Sequence, residues 1–94
     1  MNLKEIVQNP QTKFVDVRSR EEFADGHFPG ATNIPLQEIV DKAEELKELN
    51  SPVVLYCRSG ARSMNAYLLL KQLGLENVHN AGGLYDLLTL KNLN

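Results

Sequence analysis

The stretch VVLYCRSGARS, Val53 to Ser63, carries the only cysteine of the chain and decides how the rest is read. Val53-Val54-Leu55-Tyr56 is a continuous apolar run of strand length, and Ser51-Pro52 breaks the chain just ahead of it. A strand that is apolar at every position, rather than at alternate ones, suits the centre of a parallel sheet, where helices cover both faces. Cys57 then stands at the carboxyl end of that strand. A helix is predicted to begin near Arg62, with a strongly apolar body over 66–73 and Gly74 as its stop.

The segments on either side repeat the alternation of strand and helix. Leu3, Ile6 and Val7 lie at helical spacing behind Asn2, an N-cap residue, and Asn9-Pro10 ends that first short helix. Phe14-Val15-Asp16-Val17 reads as a buried strand interrupted by Asp16, a charge that burial makes costly unless it is paired. Ser19 and Glu22 form a capping box for a one-turn helix closed by Gly26, and His27-Phe28-Pro29-Gly30 is a turn. Residues 31–34 make another short strand. Leu36, Ile39, Val40, Ala43, Leu46 and Leu49 form the apolar stripe of an amphipathic helix, whose outer face carries Glu38, Asp41, Lys42, Glu45 and Lys47. A last strand around Val78 leads into Ala81-Gly82-Gly83, and residues 84–90 form a closing helix. The alternation predicts an α/β domain with a mostly parallel sheet, and in such sheets ligands gather outside the carboxyl ends of the strands, where Cys57 lies.

At 94 residues the chain is expected to form one domain over 1–94, since a single core ordinarily serves ~100–200 residues. With 43% hydrophobic and 23% charged residues, a packed core forms without crosslinks. A formal net charge of −2 gives no overall positive field, which argues against nucleic acid as a partner. One cysteine makes no internal disulfide, so a reducing compartment suits it. The opening MNLKEIVQNP has neither the apolar centre nor the cleavage site of a signal peptide, and no apolar run approaches the ~20 residues of a membrane span. A cytoplasmic location without membrane association is the expectation.

A cysteine attacks as thiolate, and its pKa falls near a helix N-terminus or cationic side chains. The loop after Cys57 offers both. Its backbone N–H groups from Arg58 through Ser59, Gly60, Ala61 and Arg62 to Ser63 are the orphan donors of a helix start. Gly60 lets the chain curl so that they converge, and the two arginines add positive charge at the rim. The plainer alternative makes Cys57 a buried strand-end residue and the arginines surface charges. His27 reads as a structural or solvated turn residue. Asp16 and Arg18, two apart on a strand, share a face and are expected to pair with each other or with nearby backbone, a supporting role.

Two blocks of the sequence resemble the rhodanese-like sulfurtransferases. FVDVRSREEFADGHFPGATNIP, Phe14 to Pro35, is similar to that family's Asp-x-Arg strand followed by Glu-Phe and Gly-His-x-Pro-Gly-Ala; VVLYCRSGARS is similar to its active-site strand and loop, joined by Ala81-Gly82-Gly83. The resemblance implies a rhodanese-like fold, a central parallel five-stranded sheet flanked by helices on both faces. It also implies that Cys57 takes a sulfane sulfur from a donor and holds it as a persulfide, with Arg58, Ser59, Gly60, Ala61 and Arg62 binding the substrate. Arginines at the second and sixth loop positions favour a small doubly charged donor such as thiosulfate. The sequence departs from the family where Leu87 stands in place of a tryptophan and no Gly-x-Pro segment follows.

No cofactor or metal is implied. With no second cysteine to resolve a persulfide, the sulfur must leave to an external acceptor such as cyanide, glutathione, thioredoxin or another protein thiol. A persulfide carrier for a specific protein partner shares this chemistry and differs in its acceptor. A binding module that keeps the fold without turnover is disfavoured by the presence of Cys57. A cysteine-dependent phosphatase or arsenate reductase would also use a thiolate in a curled loop. Four residues separate Cys57 from Arg62, however, and the phosphatase pattern has five.

Overall fold

A computed structural model describes residues 2–92. The chain begins with α1 (Leu3–Gln8), where the Asn2 side chain accepts the Glu5 N–H at 2.9 Å, as its N-cap position predicts. Then follow β1 (Lys13–Asp16), α2 (Arg20–Ala24), β2 (Thr32–Asn33), two 3-10 turns over Leu36–Glu38 and Val40–Lys42, and α3 (Ala43–Glu48). The second half is β3 (Val53–Cys57), α4 (Ala61–Gln72), β4 (Val78–Gly83) and α5 (Leu84–Asn92). The strands form one sheet in the order β2-β1-β3-β4, every pair parallel.

The sheet therefore has four strands among the described residues, not five. The remaining segments are helices, 3-10 turns and loops, and the stretch ahead of β1 is helical because Leu3, Ile6 and Val7 face inward together only at helical spacing. A second correction concerns the helix read over 36–49. After Pro35 the chain tightens into 3-10 turns, and at three residues per turn Leu36 and Ile39 stay aligned on the core while Val40 rotates off it. Val40 is 50% exposed and Leu49 45%, so neither belongs to the buried stripe; Ile39, Ala43 and Leu46 do.

β3 runs through the middle of the molecule, and all five of its residues are buried. Successive side chains point to opposite faces. Val53, Leu55 and Cys57 join Val15, Val17, Leu46, Ala66 and Leu70 on the side of α3 and α4. Val54 and Tyr56 join Ile6, Val7, Phe14, Phe28 and Leu87 on the side of α1 and α5. Leu87, in the place of the expected tryptophan, is fully buried and anchors α5 to that second layer. Helices on both faces thus account for the unbroken apolar run of β3, and they leave the carboxyl ends of β1, β3 and β4 facing the loops that carry the polar chemistry.

Candidate active site

Cys57 is the last residue of β3 and is buried. An irregularity between Leu55 and Cys57 shifts the pairing with β4, so that Cys57 lies opposite Gly83. Beyond it the chain curls through Arg58 and Ser59 to Gly60, whose φ of +105° suits glycine and which caps the start of α4. The curl turns the Gly60 N–H onto Cys57 Sγ at 3.0 Å and brings Ser63 Oγ to 3.5 Å from the sulfur. Burial pushes the Cys57 thiol up, but hydrogen bonds from the Ser63 hydroxyl and from the backbone of Ser63, Gly60 and Ser59 outweigh it, so the thiol ionises below its ordinary value. The Ser63 hydroxyl also reaches the carbonyls of Gly60 at 3.1 Å and Gly82 at 3.4 Å. Its one proton has three acceptors, and an ionised sulfur is the strongest of them.

The loop rests on the end of β4. A Cβ on Gly83 would collide with the Arg58 carbonyl oxygen, and one on Gly60 would come within 3.3 Å of the Gly82 Cα. Gly82 itself has a φ of +87°. Asp86, in the first turn of α5, accepts the Gly83 N–H at 2.9 Å and fixes this corner. Small residues are required here because two backbones touch.

A buried polar knot lies on the other side of the loop. The Asp16 carboxylate, fully buried, accepts from the Arg18 backbone N–H at 2.9 Å, from Arg18 Nε at 3.0 Å and from Arg18 Nη2 at 2.7 Å. Arg18 donates further to the Gly26 carbonyl at 2.7 Å and lies over the Tyr56 ring at 5.7 Å. The Tyr56 hydroxyl accepts the Phe28 N–H at 2.9 Å; burial, with the Asp16 carboxylate alongside, pushes its pKa well above the usual phenol range. Asp16 and Arg18 are thus paired as their shared face predicted, and the pair ties the strap between β1 and β2 to the end of β3. His27 stacks on Phe23 at 3.7 Å, with Nδ1 2.9 Å from the Phe23 carbonyl.

The two loop arginines differ. Arg62, read from the sequence as adding positive charge at the rim, is clasped by Glu22 at 2.6 and 3.0 Å. The Arg62 guanidinium holds the Glu22 carboxyl down to about 2, helped by the hydrogen bonds from Ser19. Arg58 forms no ion pair among the described residues and lines a cleft of about 370 Å³ with Arg18, Glu22, Asp25 and Tyr85. Among the described residues, no group of three or more His, Cys, Asp or Glu is placed to hold a metal ion, and no helix is long and apolar enough to cross a membrane.

Against known proteins, the rhodanese-like domain family matches residues 2–88 of this chain. The chain belongs to that family. The thiosulfate sulfurtransferase PspE of Escherichia coli is 39% identical over 75 residues, which span 79% of this chain and 72% of that protein. The thiosulfate:glutathione sulfurtransferase of Homo sapiens is 32% identical over 96 residues, spanning 88% of this chain and 84% of that protein. The structure of a rhodanese with anions from E. coli superposes with a TM-score of 0.73 at 38% identity, covering 80% of this chain and 89% of that one.

The rhodanese-like domain thus brings Cys57, Ser59, Gly60 and Ser63 together around one sulfur, with Ala61 opening α4 and Arg58 on the cleft side. Asp16 and Arg18 brace the neighbouring strap, and His27 lies on that strap without contacting the sulfur. Three residues of this arrangement were not singled out as site residues in the sequence. Glu22 was visible only as a capping-box residue and Tyr56 as part of an apolar strand, and Asp86 was not singled out within the closing helix over 84–90. The capping box accounts for the contact of Glu22 with Ser19 and gives no signal of its contact with Arg62 across 40 positions of chain.

Proposed function

We propose that this rhodanese-like domain transfers a sulfane sulfur from thiosulfate, or a similar small anionic donor, to a thiol or cyanide through a Cys57 persulfide. The observation that carries the reading is a thiol held below its ordinary pKa by a ring of N–H and O–H donors centred on the sulfur. The Cys57 thiolate attacks the outer sulfur of thiosulfate. A bond forms between Sγ and that sulfur, the S–S bond of thiosulfate breaks, and sulfite leaves with the bonding electron pair. The outer sulfur of the persulfide carries the negative charge, and the same donors that stabilise the thiolate lie ready for it. An acceptor thiolate or cyanide then attacks that outer sulfur and returns Cys57 as thiolate.

Burial of Cys57 beneath the loop favours a donor whose terminal sulfur projects from a small body. Arg58, at the open side, supplies positive charge for an anionic donor. The relatives named for thiosulfate and for glutathione support both halves of the cycle. Phosphatase chemistry is disfavoured by two features. The curl is tight enough to set an N–H 3.0 Å from the sulfur itself, and the arginine that would grip an oxyanion is taken by Glu22.

Steady-state release of sulfite from thiosulfate, with cyanide, glutathione and thioredoxin compared as acceptors, tests the reading. Turnover that needs both donor and acceptor is expected. A phosphatase activity dependent on Cys57, with no sulfite release, would contradict it. Turnover with a protein thiol alone would select the persulfide carrier.

A further inference from the structure

We propose that Glu22 is a positioning and specificity-determining residue, which neutralises Arg62 and so sets how strongly the catalytic loop favours doubly over singly charged donors. This rests on the sulfur-transfer reading above. The Glu22 carboxylate makes two kinds of contact at once. Toward α2 it accepts the Ser19 N–H at 3.1 Å and lies 3.2 Å from the Ser19 hydroxyl, completing the capping box. Toward α4 it grips both terminal nitrogens of Arg62 across 40 positions of chain. The side chains are 30% and 38% exposed; Glu22 lines the cleft that Arg58 also lines, and Arg62 lines the neighbouring one with Val17, Ser19 and Leu36.

The consequence is electrostatic. Cys57 thiolate and a thiosulfate dianion bring three negative charges to the loop. Of its two arginines only Arg58 is without a carboxylate partner among the described residues. The Arg62 guanidinium is held charged by Glu22 first and by Cys57 in smaller measure, so it interacts electrostatically with both. A loop without the Glu22 charge would attract every anionic donor more strongly, and a dianion about twice as strongly as a monoanion on the free-energy scale. Glu22 therefore holds Arg62 in place, shaping the wall of the loop, while restraining its charge.

Glutamine separates these two roles. Glu22→Gln keeps an oxygen for the Ser19 N–H, since glutamine serves at this capping-box position, and keeps a hydrogen-bond acceptor for Arg62 while removing the negative charge. The donors to compare are thiosulfate and the methanethiosulfonate anion, which deliver sulfur by the same displacement, with sulfite and methanesulfinate as the respective leaving groups. Single-turnover persulfide formation at low ionic strength should rise about fivefold with thiosulfate and about twofold with methanethiosulfonate in Glu22→Gln. The gain should shrink with added salt, and Arg62→Ala should show the opposite pattern, slowing uptake from thiosulfate more than from methanethiosulfonate. Equal changes for both donors in Glu22→Gln, slower uptake from thiosulfate in that variant, or an Arg62→Ala effect that is the same for both donors would overturn the proposal. Absence of persulfide in the unaltered protein would instead contradict the sulfur-transfer reading, so the two failures are distinct.

Discussion

Gly83 packs against the backbone carbonyl of Arg58 so closely that no side chain fits between them. The contact joins the end of β4 to the first residue after Cys57, opposite the cysteine that the loop encircles. The curvature of the loop is thus set from two sides, by Gly60 within it and by Gly83 beneath it.

Gly83→Ala should push Arg58 outward and open the ring of N–H donors while leaving both core layers intact. A displacement of this size in a reacting group costs on the order of 100-fold in rate. Persulfide formation should fall by about that factor, with the far-ultraviolet circular dichroism unchanged. A fully active Gly83→Ala protein would show that the loop holds its shape without β4.

Ser63 supplies the side-chain hydrogen bond that offsets the burial of the thiol. Ser63→Ala removes it, so the Cys57 pKa should rise and less thiolate should be present at neutral pH. A hydrogen bond to an ionised group is worth roughly 1.5–3 kcal/mol, so the neutral-pH rate of persulfide formation should fall by about tenfold or more. The sign is checked by the pH profile. Its midpoint should move upward, with much of the rate recovered in alkali, and thiolate absorbance in the ultraviolet should follow the same curve. A lower plateau with an unmoved midpoint would assign Ser63 a purely geometric role.

Asp16→Ala leaves the Arg18 guanidinium buried without its carboxylate and deprives Tyr56 of a polar neighbour. Removing one partner of a buried ion pair costs about 3–5 kcal/mol. Urea denaturation of Asp16→Ala should show a loss of that order, against a change within about 0.5 kcal/mol for Lys42→Ala, whose ion pair with Glu45 is exposed. Equal stability of the two variants would show that the strap is held by its apolar contacts through Phe28 rather than by the polar knot.

The sequence made legible what depends on local pattern. The unbroken apolar run Val53–Tyr56 marked the central strand, Ser19 and Glu22 marked the start of α2, and the glycine after Cys57 marked the curl. What it concealed depends on contacts between distant segments. Nothing local to Glu22 or Arg62 reveals that they meet, and the spacing of Val40 matches a helical stripe that the 3-10 turns after Pro35 rotate out of register, while Leu49 falls at the exposed C-cap of α3. The place of Leu87 is of the same kind. A leucine where the family has tryptophan signals a difference, but only the packing of α5 against Ile6, Val7 and Phe14 shows that the smaller side chain still closes the layer.

The proposal that Cys57 carries the transferred sulfur is tested by the intact mass of the reduced protein after incubation with thiosulfate, for the unaltered chain and for Cys57→Ser. A gain of one sulfur atom, reversed by cyanide, is expected in the former and none in the latter. An unchanged mass in the unaltered protein across several sulfane donors, or a gain that survives Cys57→Ser, would contradict it.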